Sequence, residues 1–281
     1  MAAIPPPLRF HDRQLGLDRV RIAGIVNLTP DSFSDGGRLS EPGSPRAHME
    51  RLLAEGADIL DLGAESTRPG ATPIDIETEQ ARLLPAVRTA VALGAIVSVD
   101  TRHSETAHAA LELGAHMVND VTGLRDAAMV DVCARHRAPA VIMHMPIADP
   151  AVMQQHAVYD DVVATVTAFL TAQSASALAR GVPQVIVDPG FGFGKTAEQN
   201  IALVARLDRL VELGHPVLVG ASRKRTIGDL TGVERRDQRV VGSVAMHLAA
   251  AAHGAHLIRV HDVAAHRQAL AVWESVERSG H

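Results

Sequence analysis

Short runs of β-branched and aliphatic residues alternate along the chain with longer stretches in which apolar residues recur at helical spacing. The first run, VRIAGIV at 20–26, leads into a loop rich in Gly, Ser, Asp and Pro and then into a helical stretch at 45–55. Ser44 stands where it caps that helix, Pro45 suits its first turn, and Gly56 suits the position just past its end. The alternation then repeats. Strands are expected at 58–62, 95–99, 116–118, 138–143, 184–187, 216–219 and 256–260. Helices are expected at 76–93, 103–113, 127–136 and 159–180. A further helix opens at the capping box Thr196-x-x-Gln199, a helical region ends near His253, and a last helix runs to Glu277.

The strands are apolar throughout rather than alternating, as strands covered by helices on both faces are. Eight strand–helix units in about 260 residues predict a (β/α)8 TIM barrel of the α/β class. The barrel is expected to be a single domain over 20–281, preceded by a partly irregular, proline-rich extension at 1–19. A doubly wound open sheet is the rival, but it usually has fewer strands and a phosphate-binding glycine turn after the first.

Composition narrows the function. The chain is 47% hydrophobic and 21% charged, with a net charge of −5 and no basic run, so it reads as an ordinary packed globular protein. Seven aromatic residues are scattered along it. Nucleic-acid binding wants a basic stripe or a stacking platform, and neither is present. The single cysteine, Cys133, excludes an internal disulfide framework and is expected to be an inert buried thiol. Residues 1–7 lack the features of a signal peptide, and the apolar stretch 240–252 falls short of the ~20 residues a membrane span needs. A soluble, cytoplasmic protein is expected, with no membrane or nucleic-acid partner.

In such a barrel, residues just after each strand line one mouth, where the chemistry sits. Those positions hold Asn27, Asp61, Asp100, Asn119 with Asp120, Met143 with His144, Asp188, Ser222 with Lys224, and Arg259 with His261. A lone Asp there is more often a capping or loop residue, but almost every strand delivers a polar group to the same rim. Two carboxylates, an amide and a lysine suit a flat heterocycle with adjacent N–H donors and a carbonyl. Asn27, Arg68, Arg259 and His261 make a second cluster that favours an anion, so a phosphorylated substrate fits.

Three motifs are decoys. The run from Gly190 to Thr196 (GFGFGKT) resembles a phosphate-binding loop but has Pro189 where the glycine belongs. The stretch 31–36 resembles a calcium-loop start, but Phe33 and Pro42 occupy two required ligand positions. None of the fifteen histidines belongs to an H-E-x-x-H zinc motif, and His108, His136, His247 and His253 read as helix-surface or core residues rather than ligands.

The stretches Asn27-Leu-Thr-Pro-Asp-Ser-Phe-Ser-Asp-Gly-Gly37 and Asp61-Leu-Gly-Ala-Glu-Ser-Thr-Arg-Pro-Gly-Ala71 resemble the two signatures of the dihydropteroate synthase family of pterin-binding enzymes. The likeness continues through Val99-Asp-Thr101, Asn119-Asp-Val121, Met143-His-Met145, Asp188-Pro-Gly-Phe-Gly-Phe-Gly-Lys195, Gly220-Ala-Ser-Arg-Lys224 and Arg259-Val-His-Asp-Val263. It implies a Mg2+-dependent transferase of folate synthesis that joins 6-hydroxymethyl-7,8-dihydropterin diphosphate to 4-aminobenzoate. It also implies sulfonamides as competitors and a homodimer. Matched to the family, Asp100, Asn119, Met143, Asp188 and Lys224 form the pterin pocket. Asn27, Arg68, Arg259 and His261 form the diphosphate site, with Asn27 as metal ligand. Thr67, Pro69, Phe193, Ser222 and Lys224 form the 4-aminobenzoate pocket, and Asp100, Arg68, Lys224 and Arg259 are the catalytic set.

The chemistry agrees with those roles. An electron-rich pterin ring spreads positive charge as the diphosphate leaves, so an anionic Asp100 would stabilise that charge in an SN1-like departure. The loops at 28–43 and 64–73 are expected to act as lids. Two departures from the family stand out: Pro146-Ile-Ala-Asp-Pro150 replaces Gln-Gly-x-Pro, and Ala64 stands where Gly is frequent. A pterin-dependent methyltransferase domain has no use for a diphosphate cluster, and a phosphosugar barrel would match its carboxylates badly to an anion. A pterin-binding paralogue without catalysis is opposed by the completeness of the set.

Overall fold

The computed structural model describes residues 5–29, 44–66, 72–147, 149, 152–156 and 158–279. A two-stranded antiparallel hairpin, β1 (Leu8–Arg9) and β2 (Gln14–Leu15), comes first. Then β3 (Arg21–Asn27) leads to α1 (Pro45–Ala54), β4 (Ile59–Gly63) to α2 (Ile76–Ala92), and β5 (Val97–Asp100) to α3 (Ser104–Glu112). Next, β6 (Met117–Asp120) leads to α4 (Ala127–Arg135) and β7 (Ala140–Met143) to α5 (Val162–Ala179). β8 (Val185–Asp188) precedes α6 (Ala197–Ala205) and the short α7 (Asp208–Val211). β9 (Leu218–Val219) precedes α8 (Arg225–Thr231) and α9 (Val240–Ala252), and β10 (Leu257–Val260) precedes α10 (Val263–Ser279).

The eight strands from β3 on are paired in parallel in the order β8-β7-β6-β5-β4-β3-β10-β9. A parallel bridge between Val187 and Val217, with Val187 N donating to Pro216 O at 2.9 Å, brings β8 to β9 and nearly closes the cylinder. The expected barrel is therefore what the chain forms. β9 is shorter than the predicted 216–219 because Pro216 has no N–H to give to a ladder and Val217 N donates to His256 Nδ1 instead of to a strand.

Local chemistry explains the helix starts. The Ser44 side chain accepts from Ala47 N, and Thr196 and Gln199 make the full capping box. α5 is long and apolar enough by composition to cross a membrane, yet it packs on β7, β8 and α6. Its buried residues Val162, Val166, Leu170 and Ala177 follow one face, as in a helix covering a barrel.

The cylinder is plugged at its N-terminal end. Leu8 and Leu17 join Ala23, Ile59, Met117, Val141, Ile186 and Leu257 in one buried cluster. Gln184 fastens the hairpin there, donating from Nε2 to Pro7 O at 3.0 Å and accepting from Arg9 N at 2.7 Å. With that floor sealed, the polar strand ends gather at the opposite mouth.

Candidate active site

Arg259 enters the barrel from β10 and meets two carboxylates from other strands. Its Nε lies 2.5 Å from Asp61 Oδ2, and its Nη2 lies 2.6 Å from Asp100 Oδ2. Asn119 Nδ2 donates to Asp61 Oδ2 at 3.3 Å, so β4, β5, β6 and β10 are tied together at the mouth. Strand register brings this about, since Asp100 pairs directly with Asn119 and lies beside Gly63. Burial pushes the Asp100 carboxyl up to about 7, with Arg259 pulling the other way. Burial also works against the Arg259 charge, but Asp61 and Asp100 outweigh it and raise its pKa, so the guanidinium is a fixed cation.

A second group sits at the ends of β8 and β9. Asp188 Oδ1 accepts from Gly190 N at 2.6 Å, and burial raises this carboxyl while Lys224 pulls it back. Gly190 must be glycine: its φ is +68°, and a Cβ there would lie 1.9 Å from His144 O. Burial lowers Lys224 to about 7, with Asp188 opposing. The Lys224 ammonium donates to Phe191 O and stands 4.4 Å from the centre of the Phe193 ring, a cation–π contact. Met143 packs with Val121, Met145 and Met153, and Phe193 lies against them, so one wall of the mouth is apolar.

The β9 and β10 loops are clamped to each other. Ser222 Oγ accepts from His261 N at 3.1 Å and lies 3.0 Å from His261 Nδ1, while Arg223 pairs with Asp262. Beneath them, Ala221 N donates to His247 Nε2 at 3.0 Å, His247 Nδ1 lies 2.9 Å from His266 Nε2, and His266 Nδ1 lies 2.7 Å from Asp262 O. The partners fix the tautomers. His247 carries its proton on Nδ1 and His266 carries its proton on Nδ1, forming one neutral chain from the β9 loop to the β10 loop. Burial drives His247 well below the usual histidine range, which keeps the chain neutral.

The structure thus brings together Asp100, Asn119, Asp188, Lys224 and Arg259, with Met143, Phe193, Ser222 and His261 around them. Thr67, Arg68 and Pro69 lie outside the described residues, as do residues 30–43 of the first loop. The base of the second loop is described: Glu65 takes a two-pronged bond from Arg102 at 2.8 and 2.9 Å. Two rim residues face away from the mouth. The Asp120 carboxylate accepts from Thr122 N, Thr122 Oγ1 and Leu124 N, so it holds a turn. His144 is buried against Phe169 and Tyr159, and burial lowers it to about 3. Cys133 is buried and pushed up to about 12 by desolvation, as an inert thiol should be.

Two features escaped sequence reasoning. Lys195 donates to Gly190 O at 3.0 Å, Phe193 O at 2.9 Å and His144 O at 3.3 Å, moulding the Asp188 loop from behind. The lysine was visible inside GFGFGK, but its direction was not. His266 has no sequence signal at all, because its partner His247 lies on a separate helix.

Asn27 ends β3 half-buried at the mouth and offers one carbonyl oxygen. That donor suits Mg2+, a hard cation that takes few protein ligands and completes its shell with water and phosphate oxygens. The fold and this mouth define a (β/α)8-barrel enzyme whose mouth pairs buried carboxylates with cations. The sequence pattern of the family described as "Pterin binding enzyme" matches residues 23–261. A dihydropteroate synthase of Neisseria meningitidis serogroup B is 48% identical over 271 residues, covering 94% of this chain and 95% of its own. The crystal structure of dihydropteroate synthase from Thermus thermophilus in complex with 4-aminobenzoate is 58% identical, with a TM-score of 0.89, and covers 96% of this chain and 99% of that one. The Yersinia pestis enzyme in a sulfonamide drug complex is 36% identical, with a TM-score of 0.90, over 97% of this chain and 100% of that one. The chain belongs to the pterin-binding enzyme family and, within it, to the dihydropteroate synthases.

Proposed function

We propose that this chain joins 6-hydroxymethyl-7,8-dihydropterin diphosphate to 4-aminobenzoate, giving 7,8-dihydropteroate and pyrophosphate for folate synthesis. The observation that carries this reading is the ion-paired set of Asp61, Asp100 and Arg259 inside a mouth that also holds Asp188 and Lys224.

Asp188 and Asn119 hold the pterin edge, the carboxylate by accepting from neighbouring N–H groups and the amide by matching a carbonyl or ring nitrogen. Lys224 donates to the ring, and Met143 covers its face. Asp100 stands as an anion where the departing diphosphate leaves positive charge on the methylene and ring, which lowers the barrier to departure. Arg259, Arg68 and His261 take the negative charge on the leaving group. The arylamine then attacks the cationic carbon from a pocket of Thr67, Pro69, Phe193, Ser222 and Lys224, the same pocket a sulfonamide would occupy. Mg2+, held through Asn27 and the diphosphate itself, would supply further neutralisation of the leaving group.

The loops at 28–43 and 64–73 would exclude water while the cation exists. A cytoplasmic homodimer completes the reading. Val272 and Val276 on α10 and Val241 on α9 are exposed apolar residues that pairing with a second copy would cover.

The direct test is product formation from the two substrates with and without Mg2+. Mg2+-dependent dihydropteroate supports the reading. Tight pterin binding without product would put a non-catalytic pterin-binding role in its place.

A further inference from the structure

Among the described residues, three groupings of histidine and acidic side chains bring ligand atoms within 4.8 Å of one another. Two of them are already committed. Val97 N donates to His116 Nδ1 at 3.1 Å, so the proton of that ring is on Nε2, the atom that faces Asp12 at 3.3 Å. A nitrogen bearing that proton cannot bind a metal. In the second grouping, Glu79 accepts from Thr101, Thr106 and His103 at 2.7, 2.6 and 2.9 Å, and Glu65 is paired with Arg102. Those carboxylates are already engaged with protein donors and with the Arg102 cation.

We infer that the third grouping, His108, Glu112 and His136, is a binding site for a late divalent transition-metal cation of the Zn2+ class, separate from the mouth, although the sequence alone reads both histidines as helix-surface or core residues rather than ligands. His108 and Glu112 stand one turn apart on α3, and His136 caps the C-terminus of α4. His108 Nδ1 lies 2.8 Å from His136 Nε2, and Glu112 Oε1 lies 3.6 Å from the same Nε2. A tetrahedral ion with bonds of about 2.0–2.1 Å sets its ligand atoms about 3.3–3.4 Å apart, between those two separations. Shifts of about half an ångström therefore accommodate it.

The donor set selects the class of ion. Two imidazoles and one carboxylate suit Zn2+, Co2+, Ni2+ or Cu2+, whereas Mg2+ prefers oxygen alone. In the metal-free pair one ring donates its proton to the other. On metal binding that ring moves the proton to its other nitrogen, so both lone pairs reach the ion. Glu112 is exposed, so water would complete the shell of a bound ion. The bound ion would pin α3 to α4.

The test uses full-length protein stripped with a chelator and titrated with Zn2+ by calorimetry and with Co2+ by visible absorption. One equivalent is expected, with the intense visible bands of tetrahedral Co2+ and a higher unfolding midpoint when Zn2+ is added. His108→Ala and His136→Ala should each weaken binding roughly 10-fold or more, and the milder Glu112→Gln should weaken it while leaving the fold intact. Synthesis of dihydropteroate with Mg2+ alone should be unchanged in His108→Ala. No Zn2+ binding in the parent, binding in all three variants as tight as in the parent, or loss of Mg2+-supported synthesis in His108→Ala would each overturn the site.

Discussion

Arg259 bridges two carboxylates that arrive on different strands, with Nε 2.5 Å from Asp61 Oδ2 and Nη2 2.6 Å from Asp100 Oδ2. One guanidinium thereby sets the position of the anion assigned to charge stabilisation and neutralises its buried neighbour. Only 2% of the Asp61 side chain is exposed, so it cannot turn to water instead.

Arg259→Ala is therefore expected to cost stability as well as activity. Removing one partner of a buried pair leaves an uncompensated charge, a loss of about 3–5 kcal/mol. Urea unfolding measures it, and adding Asp61→Asn to the variant should restore part of the loss. In binding assays, Arg259→Ala and Arg68→Ala should weaken the pterin diphosphate more than the free pterin alcohol. Equal losses for both ligands would remove the diphosphate role from these arginines.

Asp188→Asn keeps the bond from Gly190 N but cannot accept from two substrate N–H groups. Losing a charge-assisted hydrogen bond of about 1.5–3 kcal/mol predicts pterin affinity roughly 10- to 100-fold weaker. Calorimetry with the pterin is the measurement, and unchanged affinity would take Asp188 out of the pocket.

The pH profile should be a narrow bell. Asp100 acts as an anion, so kcat/KM is expected to rise as pH climbs through about 7, the value burial gives it. Lys224 acts protonated, so kcat/KM is expected to fall as pH climbs through about 7. Arg259 acts on both groups and Asp100 acts on Lys224, so the limbs report the set rather than single residues. Lys224→Arg, always charged, should lose the alkaline limb while the acid limb persists. An alkaline limb of unchanged position in that variant would exclude Lys224 as its source.

His247→Ala breaks the histidine chain and leaves Ala221 N and His266 Nε2 without partners. About 1–3 kcal/mol of stability should be lost. Because the chain joins the Ser222–Lys224 loop to the loop carrying His261, KM for 4-aminobenzoate should rise more than kcat falls. Steady-state kinetics at saturating pterin diphosphate separates the two. A change in stability with KM unaltered would make the pair a packing feature alone.

Much of this architecture is a local property of the chain. Apolar runs such as 138–143 and amphipathic stretches such as 76–93 declare strand and helix by their period, and Ser44, Thr196 and Gln199 mark helix starts by capping chemistry. The rule that strand ends line one mouth then locates Asp100, Asp188 and Arg259 without coordinates. The N-terminal hairpin illustrates where that stops, because nothing in Leu8 or Leu17 says that they plug the floor of a cylinder.

What the sequence left open depends on residues far apart in the chain meeting in space. Asn119 and Asp120 are adjacent, and their side chains must point to opposite faces, but only the pairing of Asn119 with Asp100 decides which one faces the mouth. Asp61 lies 198 positions from Arg259, and His247 lies 19 from His266 across a strand and two loops. Sequence periodicity carries the hydrophobic pattern because that pattern repeats within a few residues. Ion pairs and hydrogen-bonded chains at the mouth have no period, and barrel closure alone brings their members within reach.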